Sequence, residues 1–374
     1  MRIERIYLDY AATAPLRPEA KAAMEPWLGP AANCSSLHAS GRAARDAVDL
    51  ARSAIARQLG VEFGSVLFCS GGTEAAAIVL LGAAGEAAPG RSRILLSATE
   101  HECVTKQTRF LVKLGCSVET VPSDRNGRMD VDALQGSLGD DVLLVAAMEA
   151  QNEVGSCNDL VEIGRHCAKH GALLAVDAVQ TFPHCEEALS AGADLLFASG
   201  HKFGGPQGAG IVYVRPGVRL APVMAGGGQE RGTRAGTENV AAIVGAAAAA
   251  CQKPSGLAPM RQELSDHLVK LAGFHETDTG ADRLPGLLHG RFPGVRAETL
   301  LVRLDRAGIE ASAGSACSSG SLEPSRALSA MGWDEESSRE AVRFSLGYAT
   351  TRDEVRSAAE GIVTEVQAVR SVRG

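Results

Sequence analysis

The chain has 374 residues, 45% of them hydrophobic, and 37 basic against 44 acidic residues leave a formal charge of −7. At roughly 150 residues per domain this length predicts two domains. A chain of this size buries close to three-quarters of its unfolded surface and needs no disulfide or metal staple. The mild acidity argues against nucleic acid as the main partner, because phosphate binding needs a basic face.

The longest uncharged apolar stretches, Val240–Cys251 and Ala75–Gly85, fall short of the roughly 20 residues a membrane span requires. Met1–Tyr10 carries Arg2, Glu4, Arg5 and Asp9, so it offers no signal-peptide core. The expected location is cytoplasmic. Nine cysteines stand at 34, 69, 103, 116, 157, 167, 185, 251 and 317. The odd count and the lack of any Cys-x-x-Cys pair fit neither a disulfide framework nor a thiolate zinc site. Most are expected to pack as small hydrophobes.

The first clear helix is Arg42–Leu59, where Ala44, Val48, Ala51, Ile55 and Leu59 recur on one face and Gly60 supplies the stop. Strands are predicted at Ser65–Cys69, Arg93–Ser97, Asp141–Ala147, Ala172–Val176, Asp194–Ser199 and Gly210–Val214. Several are apolar on both faces, as in a buried, mostly parallel sheet covered by helices. Alternating strands and helices define an α/β domain. Lys253–Pro259 reads as a boundary. Beyond it come a helix around Glu298–Leu304, a Ser/Gly-rich stretch at Ser312–Ser325, and a final helix with Val355, Ala359, Ile362, Val366 and Val369 on one face. This predicts a large domain over 15–255 and a smaller α+β domain formed by 1–14 and 256–374.

Ligands of parallel sheets bind at the carboxyl ends of the strands. Five successive strand ends here deliver polar groups: Ser70–Glu74, Thr99–His101, Gln151–Glu153, Asp177 with Gln180, and Gly200–Lys202. Ser70–Thr73 reads equally as a phosphate cradle at a helix start or as an ordinary turn. It is neither a Walker loop nor a dinucleotide fingerprint, which points to a smaller phosphorylated cofactor. Lys202, among seven lysines, is the one that follows an apolar strand and sits among glycines. Such a lysine either snorkels to solvent or, enclosed, loses its charge and forms a Schiff base. Asp177 at the end of a buried strand is either a helix cap or the partner of a cation. Pyridoxal phosphate supplies an aldehyde, a ring nitrogen and a phosphate that complement Lys202, Asp177 and the Gly72/Thr73 turn, and an ionised Asp177 keeps the ring protonated as an electron sink. His101 is either a ring-stacking group or a structural histidine. His166 and His170, at i and i+4 with no third ligand, are expected on a solvated helix face.

Ser199–Lys202, Val176–Gln180 and the run Ser315–Ser325 (Ser-Ala-Cys-Ser-Ser-Gly-Ser-Leu-Glu-Pro-Ser) resemble the group I cysteine desulfurases, the NifS/IscS-like branch of the class V aminotransferases with the pyridoxal-phosphate fold type I. The likeness extends from Tyr7–Thr13 to Arg343–Gly347. It implies a large domain with a mostly parallel, seven-stranded type of sheet, and a smaller domain carrying the Cys317 loop. Lys202 would bond the cofactor aldehyde, Asp177 the ring nitrogen and Gln180 the ring oxygen, with His101 stacked on the ring. Gly72, Thr73, Ser199 and His201 would hold the phosphate, and Thr237 would reach the phosphate of a neighbouring subunit in a homodimer. Asn152 and Arg343 would position the amino-acid substrate, Arg343 on its carboxylate. L-cysteine would become L-alanine, its sulfur passing to the Cys317 thiolate as a persulfide and then to an acceptor protein such as an iron–sulfur scaffold.

Cys317 also stands among six serines and two glycines between Ser312 and Ser325, with little to pin it as a packed thiol. The chain departs from the family pattern at Cys34, Ala75–Ala77, Gly286 and Tyr348. The alternatives are a selenocysteine lyase, another class V lyase or transaminase, or a non-catalytic sulfur carrier or scaffold.

Overall fold

The computed structural model describes residues 5–31, 33–252, 256–277, 280, 282–314 and 325–371. Its centre is a seven-stranded sheet. In spatial order the strands are Val66–Cys69, Gly210–Val214, Leu195–Ser199, Leu173–Asp177, Val142–Met148, Arg93–Ser97 and Ser117–Val121. All seven residues of Val142–Met148 are buried, as the unbroken apolar run requires of a strand covered on both faces.

Two differences from the sequence reading stand out. Gly210–Val214 runs antiparallel to both its neighbours, whereas the other contacts in the sheet are parallel. Ser117–Val121 is an additional edge strand, largely exposed, whose polar residues face solvent because only one neighbour covers it.

The helix around residues 42–59 begins earlier, at Ala39, where the His38 ring accepts the Gly41 N–H. Its buried face holds Ala44, Val48, Ala51, Ile55 and Leu59, and Gly60 ends it with φ +68°. This helix and Val240–Ala250 cover one face of the sheet, and Gly72–Gly85 packs on the other.

A separate core lies around the antiparallel sheet of Ala341–Ser345, Leu287–Arg291 and His275–Glu276. The helices Leu257–Ala272 and Arg352–Ser371 pack together there, with Val355, Ala359, Ile362, Val366 and Val369 all buried. Ile6–Tyr7 pairs with Ile309–Glu310, and the backbones of Leu8 and Tyr10 bond to Ser345. The chain's early residues are thereby stitched to its late ones, beside the carboxyl ends of the central strands.

The reading of His166 needs correction. It is buried rather than on a solvated face, because it lies on the same stripe of the helix Leu160–His170 as Ile163 and Cys167. The expectation that the cysteines pack as hydrophobes holds for Cys34, Cys69, Cys116, Cys167 and Cys185, while Cys103 and Cys157 are half-buried and Cys251 is exposed.

Candidate active site

A cavity of about 280 Å³ opens at the carboxyl ends of the central strands. Around it stand Gly72, Thr73, His101, Asn152, Asp177, Gln180, Ser199, His201 and Lys202, each delivered by a strand end or the segment after it. Cys103, Met148, Ala150 and Val179 complete the wall. Cys103 belongs to no motif: its approach depends on the short helix Glu102–Thr105, which starts as the His101 ring accepts the Cys103 N–H.

At one end of the cavity the helix Gly72–Gly85 begins without a side-chain cap. Gly71 precedes it at φ +155°. The free N–H groups of its first turn and its macrodipole make this end an anion site. Thr73, Ser199 and His201 surround it. The His201 ring, 3.1 Å from the Thr13 hydroxyl, is held neutral by burial, its pKa pushed down to about 4. Glu74 in the same turn takes the Ser70 N–H and pairs with Arg234, which ties the helix start to the segment leading to Thr237. Arg52 and Glu230 anchor that segment through a buried ion pair.

Asp177 also lines the cavity. Its Oδ1 accepts the Val179 N–H at 2.9 Å, and burial raises its pKa. Nearby Glu100 is also buried, and neither of its carboxyl oxygens has a hydrogen-bond partner among the described residues. Burial, and then the charge of Asp177, push Glu100 well above the usual carboxylate range. A buried carboxylate here favours a cationic group.

Lys202 lines the same cavity. Its Nζ donates to the carbonyl oxygens of Ala11 and Ala12, at 2.8 and 2.9 Å, and Gln180 Nε2 donates to the same Ala11 oxygen at 3.0 Å. Burial, and then the charge of Arg343, lower the Lys202 pKa to about 8, against the opposing pull of Asp177 and Asp9. A lysine so placed is partly neutral near neutral pH and able to act as a nucleophile. An open anion site, a nucleophilic amine and a buried anion along one cavity fit pyridoxal phosphate.

Arg343 does not line this cavity. Its Nη1 donates to the Asn152 carbonyl and its Nη2 to Asp9, while Nε has no partner among the described residues. Thr237 is exposed and also stands outside the cavity. Cys317 lies outside the described residues.

A second cavity, about 430 Å³, shares Gln180 and Lys202 with the first. Gly286 and Tyr348, two of the departures from the family pattern, line it, and the Arg17 guanidinium lies 3.9 Å over the Tyr348 ring. Cys34, Ala75 and Ala76 are simply buried. None of these departures enters the wall of the first cavity.

The chain belongs to the class-V aminotransferases: the family's model matches residues 6–357. Proteins of this class work with pyridoxal phosphate. Among relatives, the cysteine desulfurase IscS of Dictyoglomus turgidum is 36% identical over 98% of this chain and 96% of its own length. A solved structure described as a NifS-like protein superposes with a TM-score of 0.89 at 32% identity, covering 97% of this chain and all of the other. Another, described as SspA in complex with cysteine, has a TM-score of 0.83 at 28% identity, over 92% and 99%.

Proposed function

We propose that this chain is a pyridoxal-phosphate-dependent cysteine desulfurase that converts L-cysteine to L-alanine and takes up the sulfur on Cys317. The cavity that aligns an open helix start, Lys202 and Asp177 carries this reading. The NifS/IscS-like relatives narrow the substrate to L-cysteine.

Pyridoxal phosphate, when bound, supplies the electron sink that lets the bonds at the substrate's α and β carbons break. The chain's residues do the rest. Gly72, Thr73, Ser199 and His201 bind the phosphate, and Asp177 holds the ring nitrogen protonated. Gln180 and His101, which line the cavity, would hold the ring. Lys202 would anchor the cofactor and carry the substrate's α proton on its Nζ. Asn152 would orient the substrate from the cavity wall, and Arg343, behind it on the Asn152 carbonyl, would receive the substrate carboxylate on exchanging its Asp9 partner. The Cys317 thiolate then accepts the sulfur: the substrate's C–S bond breaks, an S–S bond forms, and the β carbon takes protons to become a methyl group. The sulfur is oxidised to the persulfide level as that carbon is reduced.

The finer assignments belong to the same proposal. The large domain comprises 15–255 and the small one 1–14 with 256–374, a division supported by the two separate cores. Thr237 meets the phosphate of a partner subunit in a homodimer, supported by its exposed place outside its own cavity. The persulfide passes to an acceptor protein, such as an iron–sulfur scaffold. A free thiolate calls for a reducing compartment, which supports a cytoplasmic location; among the described residues no helix is long and apolar enough to cross a membrane.

The test is the visible spectrum of the purified protein before and after L-cysteine, with alanine and sulfide measured. Wild type is expected to show the cofactor band, respond to L-cysteine and form alanine. Cys317→Ala should keep the band and stop sulfide release. Undiminished sulfide from that variant would instead indicate lyase chemistry.

A further inference from the structure

Arg17 lines the second cavity and is buried, at 8% exposure. Its side chain makes one hydrogen bond, from Nε to the Phe203 carbonyl at 3.1 Å. Among the described residues Nη1 and Nη2 have no hydrogen bond and no carboxylate beside them. A buried cation is costly without an anion against it.

The guanidinium is nevertheless held in place. The Tyr348 ring lies 3.9 Å away, which covers the face of the plane and leaves the Nη1 and Nη2 edge free. Gly204 packs against the stem, since a Cβ there would stand 2.6 Å from Arg17 Cγ. The Arg17 N–H donates to the Gly204 carbonyl at 2.9 Å.

Around this edge the wall is largely apolar, with Leu257, Leu284, Leu287 and Leu346. The other Lys and Arg side chains on it are occupied: Lys202 by the carbonyls of Ala11 and Ala12, and Arg283 by Glu276. Glu149, Glu186 and Glu187 also stand on the wall, and their carboxyls disfavour an anion of more than one charge. Gly286 keeps the space open. A Cβ at 286 would stand 2.8 Å from the Leu346 carbonyl oxygen and 3.2 Å from Leu257 Cδ1.

We propose that the second cavity binds a small organic monocarboxylate with an apolar body, its oxygens received by Arg17 Nη1 and Nη2 and its body by the leucines. A guanidinium edge matches a carboxylate at two points. A cavity of about 430 Å³ with an apolar wall and few polar groups suits a small molecule. This site is separate from the one assigned to the substrate carboxylate at Arg343. The two cavities share Lys202 and Gln180, so the ligand sits alongside the cofactor rather than in its place.

The test is calorimetric titration of the full-length holoenzyme with isovalerate, which has no amine to react with the cofactor. Isoamyl alcohol, with the same carbon skeleton, and inorganic phosphate are the comparisons. Isovalerate is expected to bind with a Kd of about 1 mM or below. The alcohol and phosphate should bind at least roughly tenfold more weakly. Arg17→Met, similar in length but without the fork, should keep the cofactor band and bind the acid no better than the alcohol. Arg17→Lys keeps the charge without the fork and should fall between.

No saturable binding of isovalerate by wild type below about 10 mM would overturn the proposal. So would equal binding by wild type and Arg17→Met, or phosphate binding as tightly as the acid. Isovalerate that binds the apoprotein and is expelled by pyridoxal phosphate would belong to the first cavity, and the proposal fails. If Arg17→Met does not fold, Arg17→Lys decides, and wild-type affinity for the acid there overturns the proposal.

Discussion

Arg343 Nη2 donates to Asp9 Oδ1 at 2.8 Å, joining residues 334 positions apart in the chain. The guanidinium is almost wholly buried and Asp9 is its carboxylate partner. Removing one member of such a pair strands the other charge. Asp9→Ala is therefore expected to lower stability by about 3 kcal/mol, measured as a fall in denaturant midpoint at unchanged slope. An unchanged midpoint would show that Arg343 does not need this partner.

Loading the cofactor should depend on pH through Lys202. Its pKa is lowered to about 8, so the neutral, nucleophilic amine grows as pH rises to that value and is dominant above it. The rate at which apoprotein recovers its visible band should rise with pH around a midpoint near 8 and then level off. Asp177 and Asp9 favour the ammonium, whereas burial and Arg343 oppose it. Asp177→Asn should therefore move the midpoint down. An upward move would contradict this balance of charges.

Gly210 pairs with both Cys69 and Ser199 in the sheet. A Cβ at 210 would stand 2.5 Å from the Cys69 sulfur and 2.6 Å from the Gly71 nitrogen. Gly210→Ala must displace the turn that opens the helix Gly72–Gly85. Overpacking of this kind costs about 1–3 kcal/mol, so pyridoxal phosphate should bind about 5- to 100-fold more weakly in an absorbance titration. Gly64→Ala, where a Cβ meets open space, is the control and should titrate like wild type.

Glu149 lines the second cavity, is buried, and accepts the Thr181 hydroxyl. Burial above all, with the charges of Glu186 and Glu187, pushes its carboxyl up to about 7. Unfolded, it titrates near its ordinary value of about 4.3. Between these values the folded chain keeps a proton that the unfolded chain has lost, so stability falls as pH rises from about 4.3 to about 7 and is level beyond. Glu149→Gln should remove that slope and raise stability at pH 8 by about 1–3 kcal/mol. Chemical denaturation at a series of pH values reads both effects, and a variant as pH-sensitive as wild type would exclude Glu149 as their source.

Apolar runs ending in polar residues made the parallel strands and the group around Lys202 readable from sequence. Both signals are local: burial selects the run, and topology brings the strand ends together. The reversed direction of Gly210–Val214 was not readable, because an apolar run looks the same whichever way it pairs. Ser117–Val121 escaped because an edge strand needs little apolar content. His166 is buried because the apolar stripe through Ile163 and Cys167 outweighs the polarity that suggests a solvated face. The contacts of Arg17 with Tyr348 and of Arg343 with Asp9 join residues far apart in the chain, and no spacing rule reports them.

The Lys202 ammonium is received by the carbonyls of Ala11 and Ala12, and the Ala11 N–H is in turn held by the Ser345 hydroxyl. During synthesis Lys202 and its strand leave the ribosome well before Ser345 exists. The early segment meets the central domain through Ala14 and Arg17 as well, but its Ala11 N–H gains its partner only once the strand Ala341–Ser345 has been made. A nascent chain halted after the central sheet would hold Lys202 and the two carbonyls it donates to, but not the hydroxyl that fixes Ala11.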